Sequence, residues 1–197
     1  MNQYVVQDLA TQGDYDVLRR LSVGKKCAFE FGTFVGGSAL AVLPQIRAAG
    51  GRLYCIDHFL GNEDDAVTQS IPRDVAVAAF LQRTLDYRSH LTLVVGDTRE
   101  AYSFRSGMAD MVFIDASHSY SAMVGDIQAA RYLLKPGGLM CGHDYIKHYD
   151  ECDPTEVEKY ADTPGGGNDG IGYGVIKAVH EAFGRPNHES AVWWVTV

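Results

Sequence analysis

Residues 27–38 read Cys27-Ala-Phe-Glu30-Phe-Gly32-Thr-Phe-Val-Gly36-Gly-Ser38, and the fold turns on this stretch. An apolar run, Cys27 to Phe31, passes into a glycine-bearing turn, and the helix-compatible segment Ser38-Ala-Leu-Ala-Val-Leu43 follows. Strand, glycine turn, then helix is the order by which an open α/β sheet builds a pocket at its strand ends. Glu30 lies inside the apolar run, where an unpaired carboxylate is costly. A partner at the strand's end is therefore expected, and a ligand hydroxyl or ammonium would serve.

The rest of the chain continues the alternation. Further apolar strands are expected at Arg52–Asp57, Leu91–Val95, Met111–Ile114, Leu139–Gly142 and Ala191–Val197. A weak partner for the last lies near Arg185–His188, where Pro186 confines it to an edge or a short pairing. Helical spacing covers 38–49, closed by Gly50-Gly51, then 75–86, 120–134 and 174–183. Lys135-Pro-Gly-Gly138 is expected to stop the third of these. Residues 1–26 read as a helical lead-in, with Asp14 or Asp16 as its cap. The fold class expected is α/β: a Rossmann-like, doubly wound, mostly parallel seven-stranded sheet with an antiparallel C-terminal strand. Residues 1–197 are expected to form a single domain. The acidic run Gly61–Asp65 reads as a surface turn, and polar, glycine-rich 146–173 reads as a lid or substrate loop.

Composition narrows the function. Seventeen Lys+Arg against 25 Asp+Glu give a formal charge of −8 without a basic block, which argues against nucleic acid or an anionic membrane as partner. No apolar run approaches the roughly 20 residues of a membrane span, and no signal pattern opens the chain. Cys27, Cys55 and Cys141 lie in apolar segments, and Cys152 has no near cysteine. Free thiols and a cytoplasmic location are expected, and no cysteine spacing suggests zinc.

Glu30, Asp57, Asp97, Asp115 and Asp144 each fall at or near the C-terminal end of a different strand. Any one of them alone reads as a cap or turn former. Five along one rim of a parallel sheet mark a binding edge. The turn reads Glu30-x-Gly32-x-x-x-Gly36-Gly-Ser38, too widely spaced for the G-x-G-x-x-G turn that cradles a pyrophosphate. An acid before the first glycine suits a ligand with a cationic amino group better.

The ordered set Glu30–Ser38, Asp57, Gly96-Asp-Thr98, Phe113-Ile-Asp115-Ala-Ser-His118-Ser-Tyr120, Leu134-Lys-Pro-Gly-Gly138 and Gly142-His-Asp-Tyr145 resembles the motif series of class I S-adenosylmethionine-dependent methyltransferases. Within that class it is most similar to the family that groups with macrolide-sugar and catechol-type O-methyltransferases. The resemblance covers roughly residues 27–197. It implies S-adenosyl-L-methionine as cofactor, with Glu30, Gly32, Thr33, Phe34, Gly36 and Ser38 wrapping its methionine part and Ser38 bonding the carboxylate. It implies Asp57 at the ribose diol with His58 beside it, Asp97 and Thr98 against the adenine, and Asp115 at the rim below. In metal-dependent relatives, an acid ending strand four and two ligands ending strand five hold a divalent cation. The matching positions are Asp115, His143 and Asp144, and the histidine shifts the preference from magnesium towards manganese, zinc or iron.

His118 follows Asp115 by three residues and matches the basic residue that deprotonates the acceptor hydroxyl in catechol-type relatives. Histidine's unperturbed pKa of about 6.5 suits that role. The function expected is O-methylation of a small hydroxylated molecule, with His118 as general base, metal-assisted or not. Two rivals stand beside it: a nicotinamide-dependent oxidoreductase, and a binding protein that keeps the adenosyl pocket without turnover. The short lead-in offers little cover for a pocket, so a homo-oligomer is expected.

Overall fold

The computed structural model describes residues 10–61, 66–163 and 171–197. The first part of the lead-in, most of the acidic run and the Gly165–Gly167 centre of the expected loop lie outside those residues. The first helix, α1 (Gln12–Leu21), is capped by Thr11, and Asp14 at the third helical position completes a capping box. Asp14 is thus the returning half of the cap, and Asp16 instead pairs with Arg19 on the surface.

The alternation then runs β1 (Cys27–Phe31), α2 (Gly37–Ala48), β2 (Arg52–Asp57), the short α3 (Ala66–Gln69), α4 (Arg73–Arg83), β3 (Leu91–Val95) and β4 (Ala109–Ile114). It continues with α5 (Tyr120–Leu133), β5 (Leu134–Gly142), α6 (Pro154–Tyr160), α7 (Tyr173–Phe183), β6 (Asn187–Glu189) and β7 (Val192–Thr196). The seven strands form one sheet in the order β3-β2-β1-β4-β5-β7-β6. β1 to β5 pair in parallel, and β7 runs antiparallel to both β5 and β6. The expected fold class holds.

β1 is central and its residues from Ala28 to Phe31 are all buried, which explains an unbroken apolar run instead of an alternating one. Phe29, Phe31, Val112 and Met140 face a core under α5 and α7. Ala28, Cys55, Met111 and Cys141 face another under α1, α2 and α4. The winding reverses between β1 and β4, and that switch point opens a crevice at the strands' C-terminal ends.

Two expectations need correction. The helix before Lys135-Pro-Gly-Gly138 ends at Leu133 as expected, but the fifth strand begins at Leu134 instead of Leu139, so these four residues lie inside β5. There the register jumps from Ala109–Leu134 to Met111–Leu139, and Gly137 donates its amide to the Val197 carbonyl at 2.5 Å. The extra residues bulge outward while pairing continues on both sides. The described part of 146–173, expected as loop, also holds a helix, α6, started by Asp153 as N-cap with Pro154 at the first helical turn.

Candidate active site

A cavity of about 520 Å³ opens at the switch point. The turn after β1, the ends of β2 and β3, the β4–α5 connection and the end of β5 all reach its walls. Gly32 sits at φ +77°, where a Cβ would lie 2.0 Å from the Asp115 carbonyl, so only glycine lets the β1 turn cross the end of β4 this closely. Gly36 caps α2 at φ +86°, behind the cavity wall.

Of the residues expected to bind a cofactor, Gly32, Thr33, Phe34, Ser38, Asp57, His58, Asp97, Thr98 and Asp115 line the cavity. Glu30 does not. It is 2% exposed and lies beneath the floor, where it accepts from Thr33 Oγ1 at 2.9 Å, Cys55 Sγ at 3.1 Å and Ser38 Oγ. The partner demanded by the strand acid is therefore the protein itself. Burial pushes the Glu30 carboxyl up to about 7, against those three hydrogen bonds. In this arrangement the Ser38 hydroxyl donates to Glu30, a contact that would have to be exchanged for the expected bond to a ligand carboxylate.

Asp57 is also engaged by the fold. Its Oδ2 accepts from the amides of Thr33 and Phe34 at 2.8 and 2.7 Å, and its Oδ1 from that of Phe59 at 2.6 Å. Phe34 and Phe59 have φ of 46° and 56°, and this carboxylate holds both in the left-handed region. A carboxylate has about four acceptor positions, so one remains for a ligand. Asp97 caps the 3₁₀ turn Thr98–Ser103 and pairs with Arg99 Nε at 2.7 Å, an arrangement that lowers its carboxyl pKa.

At the opposite end five titratable side chains converge. His118 Nε2 stands 3.1 Å from Asp144 Oδ2. Asp144 itself has φ 60°, a conformation that aspartate tolerates better than most residues. His143 Nδ1 lies 3.4 Å from Asp144 Oδ2 and 3.8 Å from Asp115 Oδ1, and its Nε2 lies 3.4 Å from Asp14 Oδ2. Burial works against charge on His143, but Asp115, Asp14 and Asp144 raise it to about 11. Burial and Asp144 push Asp115 up to about 6, with His143 and His118 opposing.

This alters the expected metal set. His143 lies beside Asp115 and Asp144, but its ring is also held by Asp14, and the three carboxylates around it favour its charged form, which has no lone pair to offer a metal. Among the described residues, Asp115, His118 and Asp144 can each offer one ligand atom within 4.8 Å of the others. Two carboxylate oxygens and an imidazole nitrogen fit a divalent cation of the manganese, iron or zinc kind.

Two residues of this site escaped the sequence reading. Asp14 reaches it from the N-terminal helix, and nothing in local pattern signals that contact. Asp126 lines the cavity from α5 and is 4% exposed. Its signal was present, because Met123, Asp126, Ile127 and Ala130 share the buried face of that helix.

A family model described as a methyltransferase domain matches residues 29–145. The chain belongs to that family. No curated protein matches this methyltransferase. Its fold is similar to that of TomG, an O-methyltransferase from Streptomyces achromogenes involved in tomaymycin synthesis, solved in complex with SAM. The two are 18% identical over 98% of this chain and 83% of that one, with a TM-score of 0.63. An O-methyltransferase from Bacillus cereus in complex with SAH is 17% identical over 95% and 82%, with a TM-score of 0.60. Cofactor-bound Rv0187 from MTB is 16% identical over 98% and 83%, with a TM-score of 0.65. At these identities the likeness establishes the fold. The expected class I methyltransferase is borne out at the level of family and fold.

Proposed function

We propose that this methyltransferase transfers the methyl group of S-adenosyl-L-methionine to a hydroxyl of a small molecule, with His118 as general base. The observation that carries the reading is the His118–Asp144 contact at 3.1 Å inside a cavity at the switch point. The bound donor would supply an electrophilic methyl on a sulfonium. Gly37 and Ser38, in the first turn of α2, line the cavity, and the amides of a helix N-terminus suit the donor's carboxylate. Asp57 has an acceptor position left for one ribose hydroxyl. These features fit the cofactor that the SAM- and SAH-bound neighbours carry.

With Nε2–H given to Asp144, the basic lone pair of neutral His118 resides on Nδ1. A base so oriented takes the acceptor's proton as the oxygen attacks the methyl carbon. The turn that carries His118 is fixed from outside: Tyr120 donates its amide to the Ala161 carbonyl at 2.8 Å, and Ser121 donates to Asp162 Oδ1 at 2.8 Å. The nicotinamide rival finds no support in the cavity. Tyr173 and Lys177, spaced as Tyr-x-x-x-Lys, bond Glu156 and Glu158 and do not line it.

A second reading uses the same trio differently. Asp115, His118 and Asp144 would hold a divalent cation that lowers the acceptor's pKa, and His118 then ligates instead of accepting a proton. The small-molecule acceptor, the absence of a nucleic-acid partner and self-association stay part of the proposal, the last checked by light scattering. No helix among the described residues is long and apolar enough to cross a membrane.

Thermal-shift titration with SAH and NAD, then transfer of labelled methyl to a panel of hydroxylated acceptors with and without EDTA, tests the reading. SAH should stabilise the protein and NAD should not. His118→Ala should lower kcat by about 10²- to 10⁴-fold, with wild-type turnover insensitive to EDTA. Undiminished turnover in His118→Ala defeats the general base, and EDTA inactivation reversed by manganese selects the second reading.

A further inference from the structure

One carboxylate in the cavity is left without a task. Asp126 stands on the buried face of α5, 4% exposed, at the cavity wall. Its Oδ1 accepts from Thr98 Oγ1 at 2.5 Å, and among the described residues no second hydrogen bond and no ion pair reaches it. The charge that acts on it is that of Asp97, which repels. A buried carboxylate with a single hydrogen bond is a cost that the fold alone does not explain. Burial accordingly pushes Asp126 up to about 6, and carboxylates kept in this state cluster at functional sites.

Its position selects what it would meet. Thr98 follows the end of β3, so the Thr98–Asp126 bond ties that edge of the sheet to α5. The wall beside it is built of small residues: Ala122 and Gly125 line the cavity, and a Cβ on Gly125 would meet nothing within 4 Å. A planar ring entering between the β3 end and this wall would present its edge to Asp126. With the donor's carboxylate at α2 and its ribose at Asp57 on β2, the ring left over for the β3 side is the adenine. Asp97, the residue that the resemblance assigned there, is turned instead to Arg99 and is half-exposed.

We propose that Asp126 reads the exocyclic amine of the donor's adenine, with Thr98 as the positioning residue that holds the carboxylate. The inference rests on the methyl-donor reading above. An amine edge offers hydrogens to Asp126 Oδ2, whereas a carbonyl at the same place would set oxygen against oxygen.

Calorimetric titration of the full chain with S-adenosylhomocysteine and with S-inosylhomocysteine, which carries a carbonyl in place of the amine, tests it. The wild type should prefer the adenosyl ligand by about 10- to 100-fold, as expected for a hydrogen bond to a charged group. Asp126→Asn, near in shape, should reduce that preference to about threefold or less, because its amide can donate to the carbonyl. Equal binding of the two ligands by the wild type overturns the inference without any variant. A preference unchanged in Asp126→Asn overturns it as well. Failure of S-adenosylhomocysteine itself to bind defeats the donor reading and this inference together, whereas tight binding without preference defeats only this one.

Discussion

Glu30 is the residue where chemistry legible in the sequence and chemistry decided by folding part company. An acid in an apolar strand demands a partner, and that demand is plain from residues 27–31 alone. Which partner answers depends on where the turn returns, and it brings Thr33 and Ser38 hydroxyls and the Cys55 thiol back over the strand. Reading a motif position by position assigns Ser38 to a ligand, but side-chain direction follows from tertiary packing that spacing does not encode. The consequence is measurable. Glu30 holds its proton up to about 7 in the folded protein, against a reference of 4.5. Over that window the folded state binds a proton that the unfolded chain has released, so the contribution is complete below about 4.5 and is lost as pH rises through 7. A displacement of that size corresponds to about 3 kcal/mol. Urea unfolding at pH 5 and pH 7.5 should show a steeper loss for the wild type than for Glu30→Gln, which has no proton to release. Parallel slopes for the two proteins would refute the assignment.

Elements built from local pattern were readable, and those set by long-range pairing were not. β1 to β4 announced themselves as short apolar runs, and α6 carried its own signal in Asp153-Pro154, overlooked beneath the glycines that follow. The bulged start of β5 is different, because only pairing with β4 and the bond to Val197 keep Lys135-Pro-Gly-Gly138 in the sheet. The packing of α7 against the turn that carries His118 is equally non-local. A Cβ on Gly174 would lie 2.3 Å from the His118 carbonyl, 2.4 Å from that of Ala161 and 2.5 Å from the Tyr120 amide. All three are backbone atoms, so Gly174→Ala must push α7 away or displace His118. Loss of about 1–3 kcal/mol is expected from the overpacking, with kcat/KM lowered about 100-fold by misplacement of the base. Gly184→Ala, at the far end of α7, is the contrast: φ is +71° but nothing lies within 4 Å of the new methyl. It should cost about 1–2 kcal/mol of stability and leave kcat/KM at the wild-type value. Equal activity losses in both variants would mean that α7 does not set the geometry of His118.

At the scale of the molecule, three distant parts of the chain meet beneath the cavity through one carboxylate. Asp14 in α1 accepts from the Thr11 amide at 2.7 Å and hydroxyl at 2.6 Å, and from the Ala191 amide at 3.0 Å just before β7. Its Oδ2 also faces the His143 ring at the end of β5. Burial opposes its charge, yet His143, Thr11, Ser190 and Ala191 together hold the Asp14 carboxyl well below the usual range. It therefore stays ionised wherever His143 is cationic, and the N-terminal helix contributes a charge to the end of the cavity where His118, His143, Asp115 and Asp144 meet. Removing one member of a buried ionic cluster leaves the others uncompensated, at about 3–5 kcal/mol. Asp14→Asn should lose stability of that order in urea unfolding at pH 7. Asp16→Asn, two residues away on the same helix, breaks an exposed pair with Arg19 and should change stability by about 0.5 kcal/mol or less. The pair of variants separates a tether from a surface charge: similar midpoints for both would show that α1 is held by its apolar face alone, and that His143 owes its charge to Asp115 and Asp144 without help from the N-terminus.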